Sequence, residues 1–472
     1  MLILFLLCIL IPSYKIKSAG SIWTGTVYIR ADGSVDPPDA PIVTHDNVTY
    51  TLTDNITSSG DGIIIERDNI IIDGAYHALI GAEVGIGINL SGRIGVTVKN
   101  VTIKDFQTGI LLWISCGNNI YESNIVSNTE YGIYLECSDG NNITQNNIES
   151  NICGVCILGS CDNNLIVDNN LRANEDGIYL LHSSFNRILK NSITRNNQRG
   201  IFLELSSNNS IVGNTIVSNQ YAITLRQSNG NSFYHNNFID NDQQVDDWSP
   251  LHLSINTWDL GYPSGGNYWS DHICVDLYSG PYQNETGSDG IGDTTYIIYG
   301  NNVDNYPLVG KFYDFEVILE SEKYHVEIIS NSTVSDCNVG VVLDDWPPYL
   351  SFGQIFIEFS VESIVDTTIF CRITIPKAIL NDTYTVLILI DHENSEEIPS
   401  YELPASNTTH AYLFFSYEPI EQKHNIVIVP EFSAITLATF SLFIAIAVSL
   451  RRELRNSKGE IRNVDCKRPN TK

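Results

Sequence analysis

At 472 residues, 43% of them hydrophobic, the chain is long enough for two or three globular domains. A formal charge of −29 repels a phosphate backbone and excludes nucleic acid as a partner. Basic residues crowd the end, with 8 of the 26 Lys and Arg lying from Arg451 onward, so the remainder is more acidic still.

Residues 1–20 read as a secretory signal peptide: an apolar run, Leu2 to Pro12, too short to span a bilayer, then the small residues Ser18, Ala19 and Gly20 as a cleavage site. Sequons at Asn47, Asn89, Asn142, Asn284, Asn381 and Asn407 suit an exported glycoprotein. The ten cysteines, Cys8 among them, form no regular disulfide framework. Residues 21–60 are expected to cap the N-terminal end of the next segment.

That segment, 61–241, is repetitive. Gly109-Ile110, Gly132-Ile133, Gly154-Val155, Gly177-Ile178, Gly200-Ile201 and Ala222-Ile223 recur at intervals of 22 or 23 residues. Nine positions after each first member stands an asparagine: Asn118, Asn141, Asn163, Asn186, Asn209, Asn231. Two further on comes an apolar column, Ile120, Ile143, Leu165, Ile188, Ile211, Phe233, and later a second, Ile125, Ile148, Leu171, Ile193, Ile216, Phe238. A period in the twenties means a solenoid. Asn, Gly or Ser every few residues leaves no stretch able to hold a helix, so each repeat is three short strands joined by turns. Asparagine tolerates left-handed backbone at such corners, and stacking at about 4.8 Å lets aligned amides form ladders. The expected fold is all-β, with a right-handed parallel β-helix of about eight coils.

Along the first strand, alternation points the positions one and three after the glycine inward and position two outward. Outward aromatics Trp113, Tyr134, Tyr179 and Phe202 then offer rings that stack on sugar faces. Periodicity stops at residues 242–310, an aromatic and acidic C-terminal cap in which Trp258 and Trp269 extend the candidate ligand-binding set. Asp289-Gly-Ile-Gly-Asp293 places hard oxygen donors around glycines, so Asp289 and Asp293 are the calcium candidates, against a metal-free turn. Cys153-Gly-Val-Cys156, with Cys137 and Cys161 on neighbouring turns, is a soft-metal candidate, against plain buried thiols. No catalytic residue is assigned: Asp176, Glu204 and the Asp240–Asp247 run show no evident acid–base pair, and Arg199 and Arg226 read as solvated side chains.

The repeat, followed by Gly266-Asn-Tyr-Trp-Ser-Asp271, Ser288-Asp-Gly-Ile-Gly-Asp293 and Asp304-Asn-Tyr-Pro-Leu308, resembles the NosD-like family of secreted β-helix proteins over about residues 60–310. Its founding members are linked to copper-site maturation, and many archaeal surface proteins share the helix as a carbohydrate-binding and sugar-hydrolysis domain. The resemblance implies a scaffold or glycan-binding module, with a polysaccharide lyase or hydrolase, or a copper- or calcium-binding protein, as alternatives.

Residues 311–428 alternate apolar and polar in short runs such as His325–Ile329, Ile355–Val361 and Ala411–Tyr417, the pattern of a small antiparallel β-sandwich. Residues 429–452 are read as a membrane anchor, because Ser433 to Leu450 carries no charge and, as a helix, would reach about 27 Å. Arg451 and Arg452 then place the tail, 453–472, in the cytoplasm. The predicted partners are thus the membrane, through a single C-terminal transmembrane helix, and a polysaccharide or cell-envelope glycan.

Overall fold

A computed structural model describes residues 23–249, 254–341, 355–363, 367–379, 387–390, 398–419 and 422–429. The expected signal peptide, the anchor beyond Val429 and the tail lie outside these residues. Among the described residues every regular element is a strand, and no helix is long and apolar enough to cross a membrane. The chain forms two compact units. The first takes residues up to 258 with 269–271 and 297–304; the second takes 259–268, 272–296 and 305 onward, so the 242–310 segment contributes to both.

The first unit is a parallel β-helix of about nine turns. Three parallel sheets run its length, and identical positions of successive coils pair in register, as in Ile110↔Ile133, Asn119↔Asn142 and Ile125↔Ile148. Winding begins earlier than the repeat suggests. Val27–Ile29 pairs with Ile63–Ile65, and Thr49–Leu52 with Ile71–Asp73, although residues 21–60 carry neither the Gly-Ile nor the Asn column.

Each corner obeys one rule: a left-handed residue precedes a buried amide or hydroxyl. Glu122, Gln145, Asp168 and Lys190 have φ between 49° and 55° at one corner; Ser127, Ser150, Ala173 and Arg195 have φ between 53° and 60° at the next. Non-glycine residues there cost about 1–2 kcal/mol each. The side chain that follows offsets that cost with hydrogen bonds. Asn146 accepts at Oδ1 from the Ser123 N–H (3.0 Å) and donates from Nδ2 to the Ile120 carbonyl (2.9 Å) and to Asn169 Oδ1 (3.0 Å). Three such ladders run up the interior: Asn118 to Asn256, Ser123 to Asn236, and Asn128 to Asn241. A serine column, Ser115, Ser138, Ser183, Ser206, Ser228 and Ser254, makes a fourth.

In the coil after Cys153 the alignment differs from the nine-residue count. The ladder there runs Asn141–Asn164–Asn186, and the inward apolar residue is Ile166; Asn163 has φ 58° and Leu165 is half-buried. One residue is inserted at the Gly159-Ser160 corner, both left-handed, and Cys161 takes the place of a serine in its column.

The second unit contains a five-stranded and a four-stranded antiparallel sheet. Lys311–Leu319, Glu322–Ser330, Ile369–Pro376, His410–Tyr417 and Ser400–Glu402 form the first; Thr333–Val341, Ile355–Glu362, Lys423–Val429 and Leu387–Ile390 form the second. Val326, Ile328 and Ile373 of one meet Ile357, Phe359 and Ile426 of the other in a shared core, the expected β-sandwich.

Candidate functional site

The glycine column shapes the outer wall of the helix. A Cβ on Gly132 would lie 2.6 Å from the Gly154 carbonyl oxygen and 2.9 Å from Ile148 Cγ2, so the glycine abuts the interior. The next residue, Ile133, also points inward. Two successive inward residues break the alternation of a strand and kink it, while the register with the next coil is kept on both sides, Tyr131↔Cys153 and Ile133↔Val155. Outward side chains on either side of the kink therefore lean toward each other. Tyr131 and Tyr134 have ring centroids 4.8 Å apart, and the Arg199 guanidinium lies 4.5 Å from the centre of the Phe202 ring. Repeated coil after coil, the kink makes a longitudinal furrow.

Pairs line it in order: Tyr131 and Tyr134, Cys153 and Cys156, Asp176 and Tyr179, Arg199 and Phe202, Tyr221 and Thr224, Gln243 and Asp246. Tyr179 stacks on Phe202 at 4.7 Å with planes 8° apart. Hydroxyls and charges are tied together: Tyr134 donates to Glu136 (2.9 Å), Tyr179 to Glu204 (2.7 Å), Arg226 to Glu204 (2.6 Å) and Arg199 to Asp176 (3.2 Å). Burial raises the Asp176 carboxyl above its ordinary pKa against the pull of Arg199, and burial with the neighbouring Asp247 raises Asp246. At the far end, Gln243 Nε2 donates to the Tyr299 hydroxyl (2.7 Å), which brings that segment over the last coil.

The aromatic residues singled out by sequence divide. Tyr134 and Tyr179 stand in the furrow, half-buried. Phe202 is there too, but at 6% exposure, between Tyr179 and Arg199. Trp113, exposed, pairs with Glu136 in the adjoining outward column. Trp258 and Trp269 are core residues, each 1% exposed, and offer no ring to a ligand. They stack on Phe233 and Phe238 at 4.3 Å and close the end of the apolar columns. Trp258 Nε1 donates to Asn302 (3.0 Å) and Trp269 Nε1 to Asp304 (2.9 Å). Asp246 continues the Tyr134 column, and Tyr131, Asp176 and Arg199 join the furrow because of the kink. Its sign in the sequence was the Gly-Ile pair itself, two inward residues in succession.

In the second unit, the calcium candidates are already engaged. Asp289 is buried and accepts from the Ile291 N–H (3.0 Å), the Gly280 N–H and Gln283 Nε2 (both 3.2 Å). Asp293 takes the N–H groups of Leu277 and Tyr278, while Asp276 takes those of Asp289 and Gly290, a reciprocal clasp between two stretches of loop. Among the described residues no three His, Cys, Asp or Glu side chains converge on a point where a metal could sit. These hydrogen bonds hold the loop closed on itself.

Residues 54–274 match the family described as "Periplasmic copper-binding protein (NosD)". No curated protein matches the chain. Among solved structures, the periplasmic alginate epimerase AlgG is 15% identical, covering 49% of this chain and 82% of its own, with a TM-score of 0.34. DFA-IIIase from Arthrobacter chlorophenolicus A6 in complex with GF2 is 18% identical, covering 44% and 56%, with a TM-score of 0.33. At that distance no substrate or residue role transfers.

Proposed function

The repeat domain of this chain is a NosD-like parallel β-helix, and from that premise we propose that the protein is an extracellular surface scaffold whose furrow binds a glycan chain. In this reading the signal peptide exports the chain and the apolar segment after Val429 tethers it to the membrane. The observation that carries it is the furrow: Tyr131 and Tyr134 on one coil and Tyr179 two coils further on, interleaved with Asp176, Arg199, Glu204 and Arg226. Rings two coils apart, about 10 Å, stack on sugar faces along a bound chain, and the ion-paired groups beside them hydrogen-bond hydroxyls. Binding fits better than hydrolysis by the same carboxylates. Asp176 and Glu204 are separated by five residues along their strands, about 16 Å, and Asp176 and Asp246 by three coils, about 14 Å. Hydrolysis needs carboxylates about 5–9.5 Å apart.

A glycan array on the full chain, followed by calorimetry with the strongest hit, tests the proposal. Tyr134→Ala and Tyr179→Ala are expected to weaken binding roughly tenfold each, as loss of about 1.4 kcal/mol of stacking would. Equal affinity for wild type and the double variant, or release of shortened sugars from a bound polymer, would overturn it.

A further inference from the structure

At its last coil the furrow ends in acceptors that the rest of the chain leaves unused. Earlier along it the carboxylates are held: Asp176 accepts from Arg199 (3.2 Å), Glu204 from Arg226 (2.6 Å) and Tyr179 (2.7 Å), and Glu136 from Tyr134 (2.9 Å). Asp246 ends the Tyr134 column, in register with Thr224. It is half-buried and has neither a hydrogen bond nor an ion pair among the described residues. Its neighbour Asp247 is occupied, accepting from the N–H groups of Ser249 (3.1 Å) and Ser254 (2.6 Å). Thr224 is only 2% exposed, yet its Oγ1 has no hydrogen-bond partner. Across from them, Gln243 gives Nε2 to the Tyr299 hydroxyl (2.7 Å) and the Val245 carbonyl (2.9 Å), which leaves Oε1 without a donor. A buried hydroxyl and a half-buried carboxylate without partners each carry a desolvation cost that a hydrogen-bonding ligand relieves.

We infer that this end of the furrow seats a protonated amino group of a bound glycan, with Asp246 as its counter-charge and Thr224 Oγ1 and Gln243 Oε1 as further acceptors. The inference rests on the furrow being a glycan site and adds which glycan it selects: one that carries an unacetylated amino sugar.

The balance of donors and acceptors makes the choice. An ammonium brings three N–H donors, no acceptor and the opposite charge, which is what three unmatched oxygens ask for. A neutral hydroxyl brings lone pairs of its own that need donors, and a uronate would meet Asp246 and Asp247 as like charges. No cation of the furrow takes the place of the ligand. Arg199 lies two coils from Asp246, about 10 Å, and holds Asp176, while Arg226 holds Glu204. Tyr179 is three coils from Asp246, about 14 Å, so the aromatic ring and the carboxylate are reached together by an oligosaccharide and not by a single sugar.

Calorimetry on the full chain tests this with a glucosamine tetrasaccharide, its fully N-acetylated form and tetralysine. The free-amine sugar is expected to bind about tenfold or more tighter than the acetylated one, as one charge-assisted hydrogen bond would give, and tetralysine far more weakly than either. Asp246→Asn should erase the preference and keep the binding of the acetylated form. Asp39→Asn, exposed and outside the furrow, removes the same charge and should leave the preference intact. Thr224→Val removes the hydroxyl at equal volume; affinity for the amine should fall several-fold while the melting temperature holds or rises, which a merely structural hydroxyl would not show. An acetylated form that binds as tightly, a preference that survives Asp246→Asn, unchanged affinity in Thr224→Val, or tetralysine bound as well as the amino sugar would each overturn the inference and leave the glycan reading standing. So would a glycan array that finds other sugars bound but neither tetrasaccharide. An array and titrations in which no sugar binds would overturn both.

Discussion

Gly154 and the ladder asparagines show how much a single position decides in a stacked chain. A Cβ on Gly154 would sit 2.6 Å from the Gly177 oxygen and 3.2 Å from Leu171 Cδ2, both unable to move without disturbing the next coil. Gly154→Ala should therefore cost about 1–3 kcal/mol by overpacking. Gly140→Ala, at φ 63° with open space around the new methyl, should cost only the left-handed penalty of about 1 kcal/mol. Denaturant midpoints of the two variants separate close approach from backbone conformation. Asn191 is a stricter case: it accepts from the Asn169 N–H and Nδ2 and donates to the Ile166 carbonyl and Asn214 Oδ1. Asn191→Leu takes their side-chain partner from the Asn169 N–H and the Ile166 carbonyl, while Asn214 Oδ1 keeps the residue-191 N–H and Asn169 Nδ2 keeps the Ile143 carbonyl, and a loss of about 2–3 kcal/mol is expected in equilibrium unfolding. That such a ladder exists was legible from the Asn column. Its exact member in the third repeat was not, because Asn163 and Asn164 are adjacent and identical in chemistry; only the corner at Gly159-Ser160 decides which turns inward.

At the scale of elements, the aromatic and acidic segment was the hardest to read. Tryptophans among aspartates suggest a wet binding surface, yet Trp258 and Trp269 lie flat on Phe233 and Phe238 because the last coil's apolar columns need a lid. Trp258→Ala should cost about 3–5 kcal/mol and expose an unpaired parallel edge, so aggregation on mild heating, followed by light scattering, is expected as well. The aspartates of the loop likewise serve its own backbone. Burial raises the Asp276 carboxyl to about 7, with the nearby Asp289 and Asp293 adding to the shift. The native state then holds a proton there that the unfolded chain releases near pH 4. Stability from this group is complete below about pH 4 and fades as pH rises toward 7, the reverse of an ion-paired carboxylate. Asp276→Asn should flatten that fall in a pH series of thermal melts, at some cost to the clasp; an unchanged slope would assign the effect elsewhere.

For the whole molecule, the −29 charge is the dominant long-range force. Like charges on one chain oppose compaction, and about 0.5 M salt screens them beyond a few ångströms. Melting temperature is expected to rise with sodium chloride, measured by calorimetry; a fall would point to the furrow's ion pairs as the larger contribution. The solenoid and the sandwich were both readable at this scale, since each repeats a simple pattern of faces. The earliest winding was not, for Val27–Ile29 and Thr49–Leu52 are shaped by the coil above them and carry no periodic mark of their own.

The extra residue at Gly159-Ser160 has a practical corollary. One surplus amino acid is absorbed there in a bulging elbow while every rung above and below keeps its partner. The same elbow is thus a natural splice point: a short epitope or fluorophore-tagged peptide grafted between Gly159 and Ser160 should be displayed outward without loss of folding. A lengthening by the same amount within Asn142–Thr144 would throw every subsequent turn out of phase.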